Sequence, residues 1–467
     1  MAEEAPAERS TDVIVTDEAL VRRAVGAAAI GNVTEWYDFG VYSYLATTIS
    51  KVFFSGLPDG MAQVATLGTF AASFLVRPIG GLVFGPLGDR LGRTQVLAVT
   101  VITMACGTFA LGLIPSYASI GIAAPLLVLL ARLIQGFSTG GEYGGAMTFI
   151  AEYAPDRRRG FLGSWLEFGT LTGYAFGATF ATVLTSALST SQLDGWGWRI
   201  PFLLALPIGV IGLFLRLRLE ETPAFTAKLE AAESHQGMPV GSEFKMIFAD
   251  HWRTMLAAGG LVIAWNVTNY TLTSYMPTYL TSTLPDHGKN GTSETTSEVL
   301  QIIVLLVLMV LVTLLGRLSD RVGRRPVLMT GSLALVILAL PSVLLVQLGG
   351  LPATMGGLLI MGLTLVCFSS TCPSTLPAMF PTEIRNGGLT ITFNIFVSAF
   401  GGTTATVLSA LVLATGDLNW PGYYLIGAGV VGAVSVYWLR ETARRPLKGS
   451  KPSLSSTEAA AAAAPAG

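Results

Sequence analysis

Twelve largely apolar runs, each long enough to cross a lipid bilayer, follow one another along this chain with little between them. They lie near residues 24–50, 60–86, 94–114, 121–152, 160–187, 199–217, 254–281, 297–316, 326–347, 352–379, 387–414 and 421–439. A helix needs ~20 such residues to span the hydrocarbon core. Helices are the expected form, because a backbone in lipid finds no water and must satisfy its own N–H and C=O groups. Only 12% of the 467 residues are charged, against 51% hydrophobic, and the mean hydropathy is +0.60. A soluble domain carries roughly a quarter charged residues, so this chain lacks the polar surface to cover a water-soluble globule. The expected fold class is an all-α membrane protein of twelve transmembrane helices.

Lysine and arginine collect on alternate sides of these runs. One side gathers Arg22, Arg23, Arg90, Arg93, Arg157, Arg158, Arg159, Arg321, Arg324, Arg385, Arg440 and Lys448, among others; the opposite side has little beyond Lys51, Arg199 and Lys289. The positive side is expected to be cytoplasmic, with both termini on it. The expected organisation is a cytoplasmic arm over 1–20, a six-helix bundle over 21–217, a cytoplasmic linker over 218–253, a second bundle over 254–440 and a cytoplasmic tail over 441–467. The arm shows no signal-peptide pattern. It and the Ala/Ser-rich end after Lys448 are expected to be mobile. Cys106, Cys367 and Cys372 all fall in apolar runs and read as small core residues, and the three histidines fall in polar connections. Neither set offers a metal site, a disulfide framework or a nucleophile with a base, so an enzyme is not expected.

The two halves share words. Gly85, Asp89, Arg90, Gly92 and Arg93 recur as Gly316, Asp320, Arg321, Gly323 and Arg324; Asn32-Val33-Thr34 recurs as Asn266-Val267-Thr268. Pro155 and Arg159 recur as Pro381 and Arg385, and Glu221-Thr222 as Glu441-Thr442. The offsets are 231, 234, 226 and 220 residues, each close to half the chain. Duplication of a six-helix unit explains all four, and paired repeats around a midplane site are a recurrent transporter design. Within the Asp-Arg words, glycine permits a tight turn. Aspartate can accept bonds from arginine or from a helix N-terminus. These loops therefore read as conformational latches, beside the plainer reading of positive-inside charge.

The word Gly85-Pro-Leu-Gly-Asp89-Arg90-Leu-Gly92-Arg93 resembles the signature loop of the major facilitator superfamily. Gly31-Asn32-Val-Thr-Glu35-Trp36-Tyr37-Asp38-Phe39, Arg77-Pro78-Ile-Gly80-Gly81 and the stretch from Arg132 to Tyr143 are similar to its metabolite:proton symporter branch. So is Trp196-Gly197-Trp198-Arg199-Ile-Pro201-Phe202. Asn266-Val-Thr-Asn269-Tyr270 with Ser274-Tyr275-Met276-Pro277, Ser374 to Thr382, and Glu441 to Gly449 resemble the bacterial proline/glycine-betaine members. The resemblance covers roughly residues 20–450. It implies two pseudo-symmetric six-helix bundles in a bacterial inner membrane. It also implies alternating access, with a zwitterionic osmolyte such as proline or glycine betaine as cargo. Protons and the bilayer are the other expected partners; no nucleic acid is expected. The proton gradient would supply the driving force, with no cofactor. The rival on the same fold is a mono-, di- or tricarboxylate or shikimate-like acid; a solute sensor without transport is a third reading. No heptads follow Lys448, so the cytoplasmic coiled coil of some osmolyte members is not expected.

Ionisable residues inside spans are costly and functional by default. Those picked out are Glu35 and Asp38 in the first run, Arg77 in the second, Arg132 and Glu142 in the fourth and Glu167 in the fifth, all in the first half. The second half has Asn269 at the place matching Glu35. Counting ~1.5 Å per residue from the cytoplasmic ends places Glu35, Asp38 and Arg132 ~20–27 Å deep, and Arg77, Glu142 and Glu167 only ~10–14 Å deep. Two layers follow: Asp38, Glu35 and Arg132 near the middle, and Glu142, Glu167 and Arg77 nearer the cytoplasm.

A zwitterion needs one cationic and one anionic partner. Arg132 can hold a carboxylate in a forked pair. Trp36, Tyr37, Trp265, Tyr270 and Tyr275 can offer aromatic faces to an ammonium, or simply pack. Asn32, Gln135, Asn266 and Asn269 complete the polar set, or bond between helices. A buried carboxylate holds its proton more tightly, so Glu35 or Asp38 is the expected coupling site. Glu142 and Glu167 lie on the proton route or form a structural cluster with Arg77.

Overall fold

The computed structural model describes residues 14–91, 93–217, 246–382 and 384–456. Its long helices form twelve rods. The first six are α1 (Glu18–Tyr44), α2 (Asp59–Leu91), α3 (Arg93–Leu113), α4 (Ala123–Tyr153), α5 (Arg159–Ala187) and α6 (Arg199–Leu217). The second six are α7 (Trp252–Tyr270), α8 (Glu294–Val322), α9 (Arg324–Leu348), α10 (Leu351–Met379), α11 (Arg385–Thr415) and α12 (Trp420–Trp438). Among the described residues, α4, α8, α9, α10, α11 and the Gly60–Phe84 stretch of α2 are each long and apolar enough to cross a membrane. Other rods are diluted by residues that pack inward. Thus α1 buries Glu35 and Asp38, and α5 buries Gly160, Gly163, Gly169, Gly173 and Gly177.

The rods run longer than the apolar runs at several ends. α2 continues to Leu91, and α7 begins at Trp252, inside the stretch expected to be linker. Three rods are interrupted. α4 breaks at Gly140 and Gly141. α7 is extended by π-helical turns over Thr271–Tyr275 and Tyr279–Thr283, and α11 contains one over Val397–Gly401. Such turns free backbone groups and cluster at functional sites. Small residues bring α2 and α4 together: a Cβ on Gly136 would stand 1.7 Å from the Ser73 carbonyl oxygen, and one on Gly140 would stand 2.1 Å from that of Arg77. Only glycine permits that approach, and it fixes α4 beside Arg77.

The bundles touch at both ends. On the face bearing the termini, the Asp320 carboxylate caps the start of α5, accepting from Gly160 N and Phe161 N at 2.8 Å each. This is an anion at a helix N-terminus, supplied by the other half. Arg385 pairs with Glu152 at 2.9 Å, and Arg159 donates to the Arg445 carbonyl. Arg324 donates to the Ser374 carbonyl and the Thr442 hydroxyl, while Arg321 is exposed. The Asp320 word thus bonds one half to the other. In the first-half word, Gly85, Asp89, Arg90 and Arg93 lie on helical backbone, their side chains outside the described set, and Gly92 lies outside the described residues. On the opposite, distal face the contacts are lighter: Thr47 to Thr281, Gln63 to Thr278, and Thr185 donating to Glu298 at 2.8 Å.

Three expectations need correction. Residues 14–16 and 453–455 are not loose ends: they pair as parallel strands, β1 (Ile14–Thr16) with β2 (Ser453–Ser455). Asp156 ties that pair to the first bundle through Ser453, accepting its N–H at 3.1 Å and donating its own to the Ser453 carbonyl at 3.0 Å. Cys106 is exposed rather than a core residue; Cys372 is buried and Cys367 lies between. Finally, charge inside the rods is not confined to the first half, because Glu298 of α8 is 98% shielded, with relative exposure 2%. The remaining arm (1–13), linker (218–245) and tail (457–467) lie outside the described residues.

Candidate functional site

Glu35 and Asp38 share a face of α1, one helical turn apart, yet each meets a different arginine. Arg77 Nη2 donates to Glu35 Oε1 at 3.1 Å. Arg132 Nη1 lies 3.6 Å from Asp38 Oδ2. All four side chains are at least 96% shielded, with exposures of 4, 2, 1 and 0% for Glu35, Asp38, Arg77 and Arg132. A buried charge is tolerated only when paired, and each pair is internally neutral.

Arg77 therefore belongs with Glu35 in the middle, not with Glu142 and Glu167 nearer one end. The depth count misplaced it because α2 does not stop near residue 86. With the helix running on to Leu91, Arg77 lies 14 residues, or ~21 Å, from that end. Its guanidinium sits 4.4 Å from the Phe74 ring centroid and 4.9 Å from that of Phe39. Such contacts stabilise a desolvated cation.

Around Arg77 the two bundles build one aromatic cluster. Trp36 lies 5.5 Å from Tyr174, 6.2 Å from Tyr143 and 6.2 Å from Tyr270 of the second bundle. Tyr270 in turn lies 5.2 Å from Phe74, and Phe393 stacks on Tyr143 at 4.9 Å. Trp265 stands 6.1 Å from Tyr143 and donates to Ser369. The Tyr270 and Tyr174 hydroxyls and Asn269 Oδ1 are buried with no hydrogen-bond partner among the described residues.

The Asp38–Arg132 pair sits behind this cluster, within the first bundle. Gln135 Nε2 donates to Asp38 Oδ2 at 3.0 Å and to Thr108 at 2.6 Å, and Arg132 lies over the Tyr42 ring at 3.7 Å. Arg132 thus faces the bundle interior rather than the shared aromatic wall. Tyr37 points the same way, bonding the Pro201 carbonyl and packing on Phe180. Tyr275 packs on Tyr279, away from Trp36. Asn32 knits α1 to α5, donating to the Leu166 carbonyl and Thr170 and accepting from Trp36. Asn266 bonds along its own helix, to the Val262 carbonyl. Glu142 accepts from Thr100 at 2.9 Å, whereas Glu167 takes bonds from Tyr143 and Thr170. The two carboxylates of the expected lower layer therefore face different neighbours.

The residues that sequence reasoning passed over are mostly aromatic. Phe70, Phe74 and Arg77 occur at four- and three-residue spacing, one stripe of α2, and that stripe meets Tyr270 and Glu35. Tyr174 and Phe393 lie in apolar runs where nothing marks a wall residue. Glu298 lies second in the apolar run 297–316, where its neighbours mark no interior partner.

A cavity of about 350 Å³ opens within the first bundle, between α1, α3, α6 and the Glu142 turn of α4. It reaches from Arg22 and Arg23 to Glu35 and Asp38, and no second-bundle residue lines it. Among the described residues no group of three or more His, Cys, Asp or Glu side chains is placed to hold a metal ion.

The family profile for "Sugar (and other) transporter" matches residues 24–448. The proline/betaine transporter of Salmonella typhimurium is 46% identical over 456 residues, covering 96% of this chain and 89% of that one. The glycine betaine/proline/ectoine/pipecolic acid transporter OusA of Dickeya dadantii is 45% identical over 448 residues, covering 95% and 88%. Among solved structures, the proton:xylose symporter XylE bound to 6-bromo-6-deoxy-D-glucose superposes with a TM-score of 0.75 at 18% identity, over 92% of this chain and 98% of that one.

Proposed function

The chain belongs to the sugar (and other) transporter family, on the major facilitator fold, and from that premise we propose that it takes up a small zwitterionic osmolyte together with a proton. Proline and glycine betaine are the first candidates, since the relatives at 45–46% identity carry those names. The face bearing the termini and the arginines is cytoplasmic, and the membrane is the bacterial inner membrane. Transport proceeds by alternating access between the two closures described above.

One observation carries this reading: the only cation in the shared aromatic wall among the described residues, Arg77, is already matched by Glu35. A neutral centre suits a solute with no net charge. Its carboxylate can take the guanidinium fork of Arg77. Its ammonium can rest on the faces of Trp36, Tyr143 or Tyr270. A dicarboxylate would bring two negative charges to a wall whose one cation among the described residues is already matched, since Arg132 lies 3.6 Å from Asp38 inside the first bundle.

The same pairing supplies the coupling. When the substrate carboxylate joins Arg77, two carboxylates share one cation away from water. Like charges so placed raise the proton affinity of one of them. Glu35 then takes a proton and lets go of Arg77, the guanidinium pairs with the substrate carboxylate, and the loaded site carries the proton's one extra positive charge beside the aromatic faces that hold the ammonium. Substrate and proton stabilise each other's binding, and linkage makes that reciprocal. At the far face the solute leaves first, and loss of the proton then returns Glu35 to Arg77. Asp38 and Arg132 form a second neutral pair behind the first, through which protonation can propagate or be held off.

The test is uptake of labelled proline and glycine betaine by purified protein in proteoliposomes under an inside-alkaline gradient. Concentrative uptake that collapses with a protonophore is expected. Uptake of neither solute, with uptake of a small organic acid instead, would replace this reading with the carboxylate one.

A further inference from the structure

We propose that the cavity inside the first bundle is a proton route, separate from the substrate path between the bundles, joining Glu35 and Asp38 to the face that bears the termini. The inference rests on the symport reading above and assigns where its proton leaves.

The cavity's walls come from α1, α3, α4 and α6 alone. At its mouth stand Arg22 and Arg23, both exposed; at its deep end stand Glu35 and Asp38, with Glu142 also lining it. Three carboxylates therefore border one continuous space. At 350 Å³ it has ample room for a file of waters, each of which needs on the order of 10–15 Å³ by this measure. Asp38 Oδ1 is buried and has no hydrogen-bond partner among the described residues. A bridging water would satisfy it.

The substrate path is meanwhile shut at the same face. Asp320 holds the start of α5, Arg385 holds Glu152, and Asn394 donates to the Gly140 carbonyl. None of these contacts closes the cavity, because none involves its walls other than near α4. Glu35 thus has Arg77 and the aromatic cluster on one side and the cavity on the other. A proton can be exchanged on the cavity side while the solute is held on the other.

The charged and titratable neighbours fit this division. Glu35 faces Arg77 from α2; Asp38 faces Arg132 from α4, with Gln135 and Thr108 beside it; Glu142 faces Thr100 from α3. Tyr37 borders the cavity but spends its hydroxyl on the Pro201 carbonyl. From α5, Glu167 is turned to Tyr143 and does not line the cavity. The route passes Glu142 and leaves Glu167 aside.

Gly26 allows the route to be plugged. It lines the cavity, and a Cβ built there meets no atom within 4 Å. Gly26→Phe can fill the space without pushing on the backbone, and Ile208→Trp fills it from α6. Two assays separate the outcomes: gradient-driven uptake of glycine betaine, and counterflow of labelled for unlabelled betaine at equal pH. Counterflow needs the loaded carrier to turn over but not to release its proton. Both variants are expected to lose driven uptake by at least roughly a hundredfold, the scale of losing a proton-transfer group, while counterflow stays within about twofold. Driven uptake that stays at wild-type rate in both variants would overturn the route. So would driven uptake and counterflow falling together in both, since that marks a route shared with substrate. If wild-type uptake ignores the protonophore, the symport reading itself fails, a result distinct from either.

Discussion

The two bundles share sequence words and architecture but divide their charges differently. The first carries two pairs in the middle, Glu35 with Arg77 and Asp38 with Arg132, besides Asp156 with Arg159 at the face of the termini, all buried. The second carries its buried charges at the ends: Asp320, Arg324 and Arg385 at the face of the termini, and Glu298 toward the distal face. At the place matching Glu35 it has Asn269. Duplication supplied two similar scaffolds. On the proposed mechanism, the difference between them gives ion chemistry to one, and wall and gate contacts to the other. A buried pair costs desolvation and rarely stabilises a fold, so the two central pairs are better explained by what they do than by what they hold together.

That contrast can be attacked at its strongest point. Arg77→Ala leaves Glu35 buried without its partner, which costs roughly 3–5 kcal/mol. Substrate binding should vanish, and the melting temperature in detergent should drop unless the pH is lowered enough to protonate Glu35. Arg77→Lys keeps the charge but loses the fork; it should fold normally and bind betaine weakly by isothermal titration. Normal binding in Arg77→Lys with lost binding in Arg132→Lys would return the substrate role to Arg132.

The gates come next. Asp320→Asn removes one of two charge-assisted acceptances from the α5 N-terminus, each worth roughly 1.5–3 kcal/mol. It should open the face of the termini, seen as faster labelling of a cysteine placed at Gly163 by a membrane-impermeant thiol reagent from that side. Glu298→Gln keeps a hydrogen-bond acceptor for Thr185 and should change distal accessibility by no more than about 1 kcal/mol. If instead Glu298→Gln abolished proton coupling, the division between bundles would be wrong.

The smallest effect is expected at Glu441, beyond the last rod. Burial pushes its carboxyl up, but the backbone N–H groups of Ala443, Arg324, Arg325 and Thr442 outweigh that and hold it below the usual carboxylate range. A depressed folded value means its stabilisation is full above the unfolded value of about 4.3. It fades as pH falls through the folded one. Glu441→Gln should cost about 0.5–1 kcal/mol at neutral pH, and progressively less in acid, because the group is half in water.

Much of this architecture was legible from residues alone. Apolar length marks a span whatever its partners, so all twelve rods fall where the runs lie. Partnership was harder. Arg77 was assigned to the wrong layer because helix ends set the depth count, and α2 keeps its helix through the polar residues up to Leu91. The aromatic wall was half visible, through Trp36 and Tyr270. Tyr174 and Phe393 carry no local signal, since their neighbours come from other rods. The β1 and β2 strands could not be read at all: three residues show no period, and their partners lie more than 430 positions away, as in the Thr16 to Leu454 bond. The cavity is a property of packing among four rods and has no signature in any one of them.

The most direct measurement is of protons taken up when substrate binds. Purified protein in weakly buffered detergent solution, mixed with glycine betaine, is followed with a pH dye. The account predicts that wild type removes protons from solution on binding, and that Glu35→Gln binds betaine without doing so. Equal proton uptake by wild type and Glu35→Gln would contradict it, and would move the coupling to Asp38 or beyond.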